Sequence, residues 1–560
     1  VARIEAHSGP GDIVADLFGR GGWIARAAID RQRKAISLES SPLTRVLAEV
    51  VLRPPDVRHL DAAFQGLAAS PRRESSLKVS IGDLFATRCA TCGRVLVADD
   101  VIWSTAPGGG REPVAKHYRC GVCRDQRGGS EQRQAPLDDD DLARISADVG
   151  AEAARHSVID RFPAVDGADR LGEQLLDLHT PRQLVALVAI LERIEGDLRA
   201  APVLAALRLA FAHAILPASR LAVFPGRTAN LRVVSGRVRD PAATQWRERN
   251  PWLAFEEAFR VVRGFVQRLE GGPLGPVQAR LGEDLRSLGE GSATALLGLA
   301  SPSGQRALAV GTQEAPRDGS GPRIRLVIGQ PPLRPSLDRL AAAYHATSWV
   351  LGREAASVVP AGALAGPSLH PPWSWQSATL GRALEVIEPA VARDGRIDLL
   401  VEGGAEGLVA AVLGGVGAGY RVASTRLADP QDDIDGIVEL IPPGAPVPPG
   451  PRTRGNVALP AVPGGAGDPD LVPGPGLFAP PERFDQRSFS PAELARTVTA
   501  TALETLKARG EPARFEHLLG EILVGLDRAG QLRRFVAAED TTPGPDEQVQ
   551  VETPAARTST

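Results

Sequence analysis

Cysteine occurs at Cys89, Cys92, Cys120 and Cys123 and nowhere else, as two C-x-x-C pairs. Two such knuckles offer four thiolates that converge tetrahedrally on Zn²⁺, and Gly93 after the first pair and Gly121 inside the second ease the tight turns. Two disulfides are the alternative. Nothing in the sequence points to secretion, however, and a C-x-x-C bridge closes a loop too short to stabilise much. A four-thiolate zinc has no open coordination position, so this site serves folding or contact rather than catalysis. Arg88, Arg94, Lys116, Arg119 and Arg124 lie close to the cysteines. Trp103, His117 and Tyr118 add rings that either stack on bases or form the core of a small ribbon.

A second group of chemically capable residues stands near the start. The segment IVADLF reads as a buried strand, GRGG as a glycine-rich turn, WIARAAIDRQ as a helix and KAISLE as a second strand. Glycines after a first strand let the backbone approach a nucleotide cofactor closely, and an acidic residue ending the second strand, about 20 residues on, accepts ribose hydroxyls. Asp16, Phe18, Gly19, Gly21 and Gly22 occupy the loop, and Glu39 the end of the second strand. A tight turn with no ligand is the alternative reading of the same glycines. The chain has neither the G-x-G-x-x-G of a dinucleotide site nor the G-x-x-x-x-G-K-[ST] of a P-loop ATPase. A third group, Gln330, Pro331, Pro332 and Leu333, follows the strand-like RLVIG.

Together these motifs resemble the S-adenosylmethionine-dependent DNA methyltransferases that modify exocyclic amines, whose first motif is similar to D-P-F-x-G-x-G and whose fourth strand ends in [D/N/S]-P-P-[Y/F]. Asp16, Phe18 and Gly22 match the first motif, Glu39 the ribose carboxylate, and Pro42 a following proline. Leu17 replaces the usual proline, Arg20 stands where the first motif glycine is expected, and Leu333 replaces the aromatic residue. In this class the polar residue of the proline loop and a backbone carbonyl accept hydrogen bonds from the target amine, and the aromatic ring stacks on a flipped base. The resemblance assigns the first role to Gln330. With the cysteines, LHTPRQLVALVAILERI and WRERNPWLAFEEAF, the chain most resembles the adenine-specific DNA methylases that contain a zinc ribbon. That resemblance implies S-adenosylmethionine as donor, structural Zn²⁺, N6-adenine or N4-cytosine as acceptor, DNA as partner and a restriction or phage-defence setting with its partner proteins. A catalytically inactive nucleic-acid-binding scaffold and an RNA or tRNA base methyltransferase are the other readings.

The elements that must position these residues read as an α/β fold: a Rossmann-like methyltransferase sheet with an inserted zinc ribbon and a helical insertion, plus a small C-terminal helical module. Residues 1–85 form the N-terminal part with the cofactor loop, including a strand over LKVSIGDLF, and residues 86–135 the ribbon. The acidic run Asp138 to Asp141 caps the helix that follows. Residues 136–290 form the helical insertion, with apolar residues at helical spacing between Thr180 and Leu216. Arginines 220, 227, 232, 237, 239, 247 and 249, with Trp246, Asn250 and Trp252, make the DNA-facing candidate there, a solvated basic face being the alternative. Residues 291–428 carry the later strands and the Q-P-P-L loop, whose helix contains Tyr344 and Trp349, rings that suit core packing better than base stacking. A Pro/Gly-rich linker covers 429–487, a helical or winged-helix-like module 488–536, and a disordered tail 537–560.

At 560 residues the chain exceeds one hydrophobic core. A formal net charge of -3 removes uniform basicity as an argument for nucleic acid and leaves local patches to carry it. Its basic residues are almost all arginine, lysine being confined to Lys34, Lys78, Lys116 and Lys507. Methionine is absent, so Val1 is either a start codon read as valine or a residue of a longer chain. The apolar run Ala201 to Pro217 is broken by Arg208 and His213, and the start lacks a signal-peptide pattern, which makes a soluble cytoplasmic protein with no membrane contact the expectation.

Overall fold

The computed structural model describes residues 1–72, 74–105, 110–124, 130–270, 277–299, 322–331, 337–366, 373–402, 404–427, 436–443, 491–513 and 515–532. Eight strands form one mixed sheet: β1 (Ile13–Gly19), β2 (Lys34–Glu39), β3 (Leu281–Gly282), β4 (Ala295–Leu299), β5 (Ile324–Gly329), β6 (Val391–Val401), β7 (Arg421–Leu427) and β8 (Gly436–Ile441). Their order is β3-β4-β2-β1-β5-β6-β8-β7. The pairs β1 with β2, β1 with β5, β2 with β4 and β3 with β4 are parallel, whereas β7 and β8 are antiparallel. Every residue of β1 is buried, the burial expected of a parallel strand covered on both faces.

Two compact units divide the chain, one holding the described residues of Val1–His370 and Val386–Asp398, the other those of Pro371–Glu385, Leu399–Arg454 and Pro480–Thr560. In the first, β1 turns through Gly21 and Gly22 into the helix Trp23–Ile29, and β2 runs into the helix Pro42–Leu52. That second helix starts at Ser41, whose hydroxyl accepts from the Thr44 amide in a capping box, with Pro42 at the first helical position. The helices Pro181–Gly196, Ala201–Ile215, Pro251–Glu270 and Leu337–Leu351 share an apolar core with Pro42–Leu52. Arg26 ties the layers together by donating from inside the protein to the carbonyls of Val51 and Leu269. Arg3 anchors the first helix, Ala2–His7, by a two-pronged pair with buried Asp398 at 2.7 and 2.8 Å.

An antiparallel sheet carries the cysteines. Its strands are Ala86–Arg88, Val95–Thr105, Arg111–Arg124 and Ser130–Ala135, joined by Gln245–Arg249 from far along the chain. Asp138 caps the helix Asp139–Ser146 as expected, but Asp138 and Asp141 also bind Lys116, so the acidic run is partly interior.

In the second unit, the helices Pro491–Arg509 and Phe515–Arg528 form a pair. The latter lies on β7, where the Asp527 carboxylate accepts from the Val422 amide at 2.8 Å. An edge strand is thus covered and one of its open donors satisfied.

Several expectations need correction. LKVSIGDLF is a helix, Leu77–Leu84, capped by Ser76, not a strand. Leu77 and Ile81, one turn apart, are buried while Val79 is exposed; a strand would have put all three on one face. The sheet re-forms at Leu281, inside the stretch expected to be helical insertion. GIVELI, inside the expected linker, is β8, because its apolar run precedes the proline-rich stretch and is buried in the sheet. The rest of that linker from residue 444 and the tail 537–560 lie outside the described residues. Among the described residues no helix is long and apolar enough to cross a membrane.

Candidate functional site

From β1 the chain lays β2, then the edge strand β3 and β4 between them, all to one side, and returns to lay β5 on the other side of β1. The strand order therefore reverses between the parallel neighbours β1 and β5. In open α/β sheets, ligands settle outside the carboxyl ends of the strands at such a switch point. The carboxyl end of β1 carries Asp16, Phe18 and Gly19, and that of β5 carries Gly329, followed by Gln330 and Pro331. A Cβ added at Gly329 would come 2.9 Å from the Phe18 ring and 3.1 Å from Asp16 Oδ1. Glycine is required there because the ring and carboxylate press on its backbone. Gln330 and Pro331 are half-buried at this edge, and Pro332 and Leu333 lie outside the described residues.

The loop itself is built around Glu39. Gly21 and Gly22 have φ of +101° and +77°, conformations that L side chains rarely adopt. A side chain at Gly19 would collide with the Glu39 carboxylate, and one at Gly21 with Leu47. Glu39 accepts from the Gly21 amide at 2.7 Å and from the Ser37 hydroxyl at 2.8 Å. Both carboxyl groups of the site are enclosed, Asp16 at 3% and Glu39 at 0% exposure. Burial, reinforced by the nearby Glu39 charge, pushes Asp16 up to about 8 against the opposing amide of Phe18. Burial pushes Glu39 up to about 7, opposed by the Gly21 amide and the Ser37 hydroxyl. The site thus holds two carboxyls able to carry protons near neutral pH. Ribose hydroxyls reach Glu39 only after the 19–22 loop shifts, since its oxygens are covered and engaged.

The four cysteine sulfurs lie within 4.8 Å of one another. Cys89 and Cys123 Sγ are 3.9 Å apart, and Cys92 and Cys120 Sγ 3.6 Å. A disulfide needs about 2.05 Å. Four sulfurs at about 2.3 Å from a tetrahedral zinc stand about 3.8 Å apart, the spacing found here. Gly93, at φ +71°, closes the first knuckle by donating to the Cys89 carbonyl. Burial acts to raise the Cys89 thiol, but the amides of Cys92 and Thr91 outweigh it and bring it down to about 6, and the Cys123 amide lowers Cys120 in the same way, whereas burial and the three neighbouring sulfurs push Cys123 up to about 12. The amide donors thus favour thiolate, the form that binds metal, at Cys89 and Cys120. The cluster fits one tetrahedral thiolate-binding metal.

Of the rings near the cysteines, Tyr118 belongs to the small core of the β-insert, while Trp103 and His117 are half-buried, His117 being paired with Asp100. Tyr118 is fully buried, its hydroxyl accepting from the Ala90 amide, and Trp103 stacks on Trp246 with centroids 5.5 Å apart. Trp246, Asn250 and Trp252 are likewise buried, so they are not the surface expected of them. Asn250 caps the helix Pro251–Glu270 by accepting from the Trp252 amide, and Trp252 packs on Phe64 and Phe255. Tyr344 and Trp349 are core residues. Of the seven arginines, Arg227, Arg232, Arg237 and Arg239 are exposed.

Glu248 was not among the sequence candidates. It is fully buried and accepts from both guanidinium arms of Arg182 at 2.6 and 2.7 Å, from the Trp103 indole at 2.7 Å and from the Thr180 hydroxyl at 2.5 Å. This node clamps the β-insert onto the helices. No local pattern could reveal it, because Arg182 and Glu248 meet only through the fold.

No family model, curated protein or solved structure matches this chain. What stands is a Rossmann-like α/β sheet, an antiparallel insert and a four-cysteine cluster that could bind zinc.

Proposed function

We propose that the protein is an S-adenosylmethionine-dependent methyltransferase acting on an exocyclic base amine of DNA, N6 of adenine or N4 of cytosine, with one structural zinc on its four cysteines. The observation that carries it is the meeting of the two motifs at the switch point: Asp16 and Phe18, from the glycine loop, press on Gly329 next to Gln330. Gly19, Gly21, Gly22 and Glu39 would hold the cofactor, which supplies an electrophilic methyl group when bound. Gln330, half-buried at the same edge, offers a side-chain carbonyl that accepts a hydrogen bond from the target amine and fixes its orientation. The base must leave its stack to reach that edge.

One observation favours a second reading, a catalytically silent scaffold that binds nucleic acid. The carboxylate assigned to ribose is sealed and already hydrogen-bonded. Isothermal titration of the zinc-loaded protein with S-adenosylmethionine separates the two. The methyltransferase reading predicts saturable heat well below about 1 mM cofactor, lost in Glu39→Ala. An absence of heat at that concentration supports the scaffold instead.

A further inference from the structure

Arg232–Val234 and Arg237–Arg239 form a two-stranded antiparallel hairpin. Ser235 and Gly236, at φ +50° and +68°, supply the two left-handed residues of its turn. The register pairs Arg232 with Arg239, Val233 with Val238 and Val234 with Arg237. Directly opposed residues share a face, as do residues two apart along a strand. Arg232, Arg237 and Arg239 therefore project from one face, and Val233 and Val238 from the other. Val233 is fully buried and Val238 packs on the helical core, whereas all three arginines are exposed.

The hairpin is held firmly from below. Gln174 accepts from the Val238 amide at 2.9 Å, and the turn amides of Ser235 and Gly236 donate to the carbonyls of Gly366 and Leu364. The arginines consequently stand on a fixed platform. Like charges directly opposed across a ladder are destabilising, yet Arg232 faces Arg239. Neither they nor Arg237 has a carboxylate partner among the described residues. The nearest acid in sequence, Asp240, pairs with Arg111, and Arg249 takes Glu257. An uncompensated cross-strand pair on a rigid face is complementary to a polyanion whose charges repeat at a few ångströms. The rings of the neighbouring sequence are unsuited to reading a single strand: Trp246 and Trp252 are buried and Phe224 lies beneath the Arg247 guanidinium. Single-strand binders need exposed stacking rings, whereas duplex backbones are gripped through phosphates alone.

We propose that the outward face of this hairpin, Arg232, Arg237 and Arg239, is a binding surface for the phosphate backbone of duplex DNA. It rests on the hairpin's own geometry and deepens the proposed function by naming where the nucleic acid is gripped.

The test uses the full zinc-loaded chain and a fluorescein-labelled 25-base-pair DNA duplex of arbitrary sequence (about two and a half turns), read by anisotropy over about 50 to 200 mM salt. Replacing all three arginines with glutamine should lower the salt slope by about 2 to 3 and weaken binding by roughly 50-fold or more near 0.1 M salt. Arg58→Gln, an exposed arginine already paired with Asp56, should leave both unchanged. Thermal unfolding of the triple variant should occur at the same or a higher temperature, because repulsion is relieved; a structural role would lower it. An unchanged slope in the folded triple variant, or wild-type protein that ignores the duplex, overturns the proposal. Preference for the single strand or for duplex RNA also overturns it. The readout is binding, so loss of methyl transfer with duplex binding intact would count against the proposed function and not against this surface.

Discussion

Asp16 and Glu39 are held with their carboxyl groups shut away from water, and this has a consequence for pH. Asp16 ordinarily ionises near 3.8 and here is pushed up to about 8. Its folded form binds a proton more tightly than its unfolded form, so stability falls as pH rises. That contribution is complete below pH 3.8 and is lost by about pH 8; Glu39, raised from 4.5 to about 7, acts in the same direction. Asp16→Asn, which cannot ionise, should therefore gain on the wild type in urea midpoint between pH 5 and pH 8. An equal gap at both values would show that Asp16 is ionised in the folded protein. At this scale the sequence was legible where chemistry is local. Two C-x-x-C pairs announce a thiolate cluster by their spacing, and a glycine loop announces its φ. It was silent on the meeting of Glu248 with Arg182 and Trp103, which depends on the fold bringing residues 103, 182 and 248 together.

Elements were readable in proportion to how strongly their own pattern spoke. The strand, turn, helix and strand of residues 13–39 were expected and are present, because a continuous apolar run, two left-handed glycines and a buried second strand leave little choice. The segment Leu77–Leu84 reads as a strand because a short apolar alternation fits either period, and the capping hydroxyl of Ser76 decides for helix. Gln245–Arg249 could not be assigned to the cysteine-bearing sheet from sequence, since more than a hundred residues separate it from its partner strand. The β-insert as an element makes a prediction of its own. Metal analysis should find one Zn²⁺ per chain, and Cys120→Ser should lose it together with the protection of the insert's amides from hydrogen exchange. The Glu248 node and the helical core should keep the rest of the chain folded. Full metal retention in that variant would mean that the sulfurs do not act as a set of four.

For the whole molecule, the order β3-β4-β2-β1-β5-β6-β8-β7 explains how motifs more than three hundred residues apart share one edge. The intervening chain is spent on the cysteine-bearing insert, the helices and the arginine hairpin, and β5 then returns beside β1. The glycine loop of residues 19–22 and Gln330 are thereby brought to one edge without any local sequence relation. Arg20 and Leu333, where the sequence departs from the methyltransferase motifs it resembles, are equally plain in the sequence, and the proposed methyl transfer is tested by chemistry. Incubation of the zinc-loaded protein with methyl-labelled S-adenosylmethionine and unmethylated genomic DNA, with tRNA in parallel, tests it most directly. The account predicts label in N6-methyladenine or N4-methylcytosine of the DNA, none in tRNA, and its loss in Gln330→Ala. Unlabelled DNA after prolonged incubation, or undiminished labelling by Gln330→Ala, would contradict it.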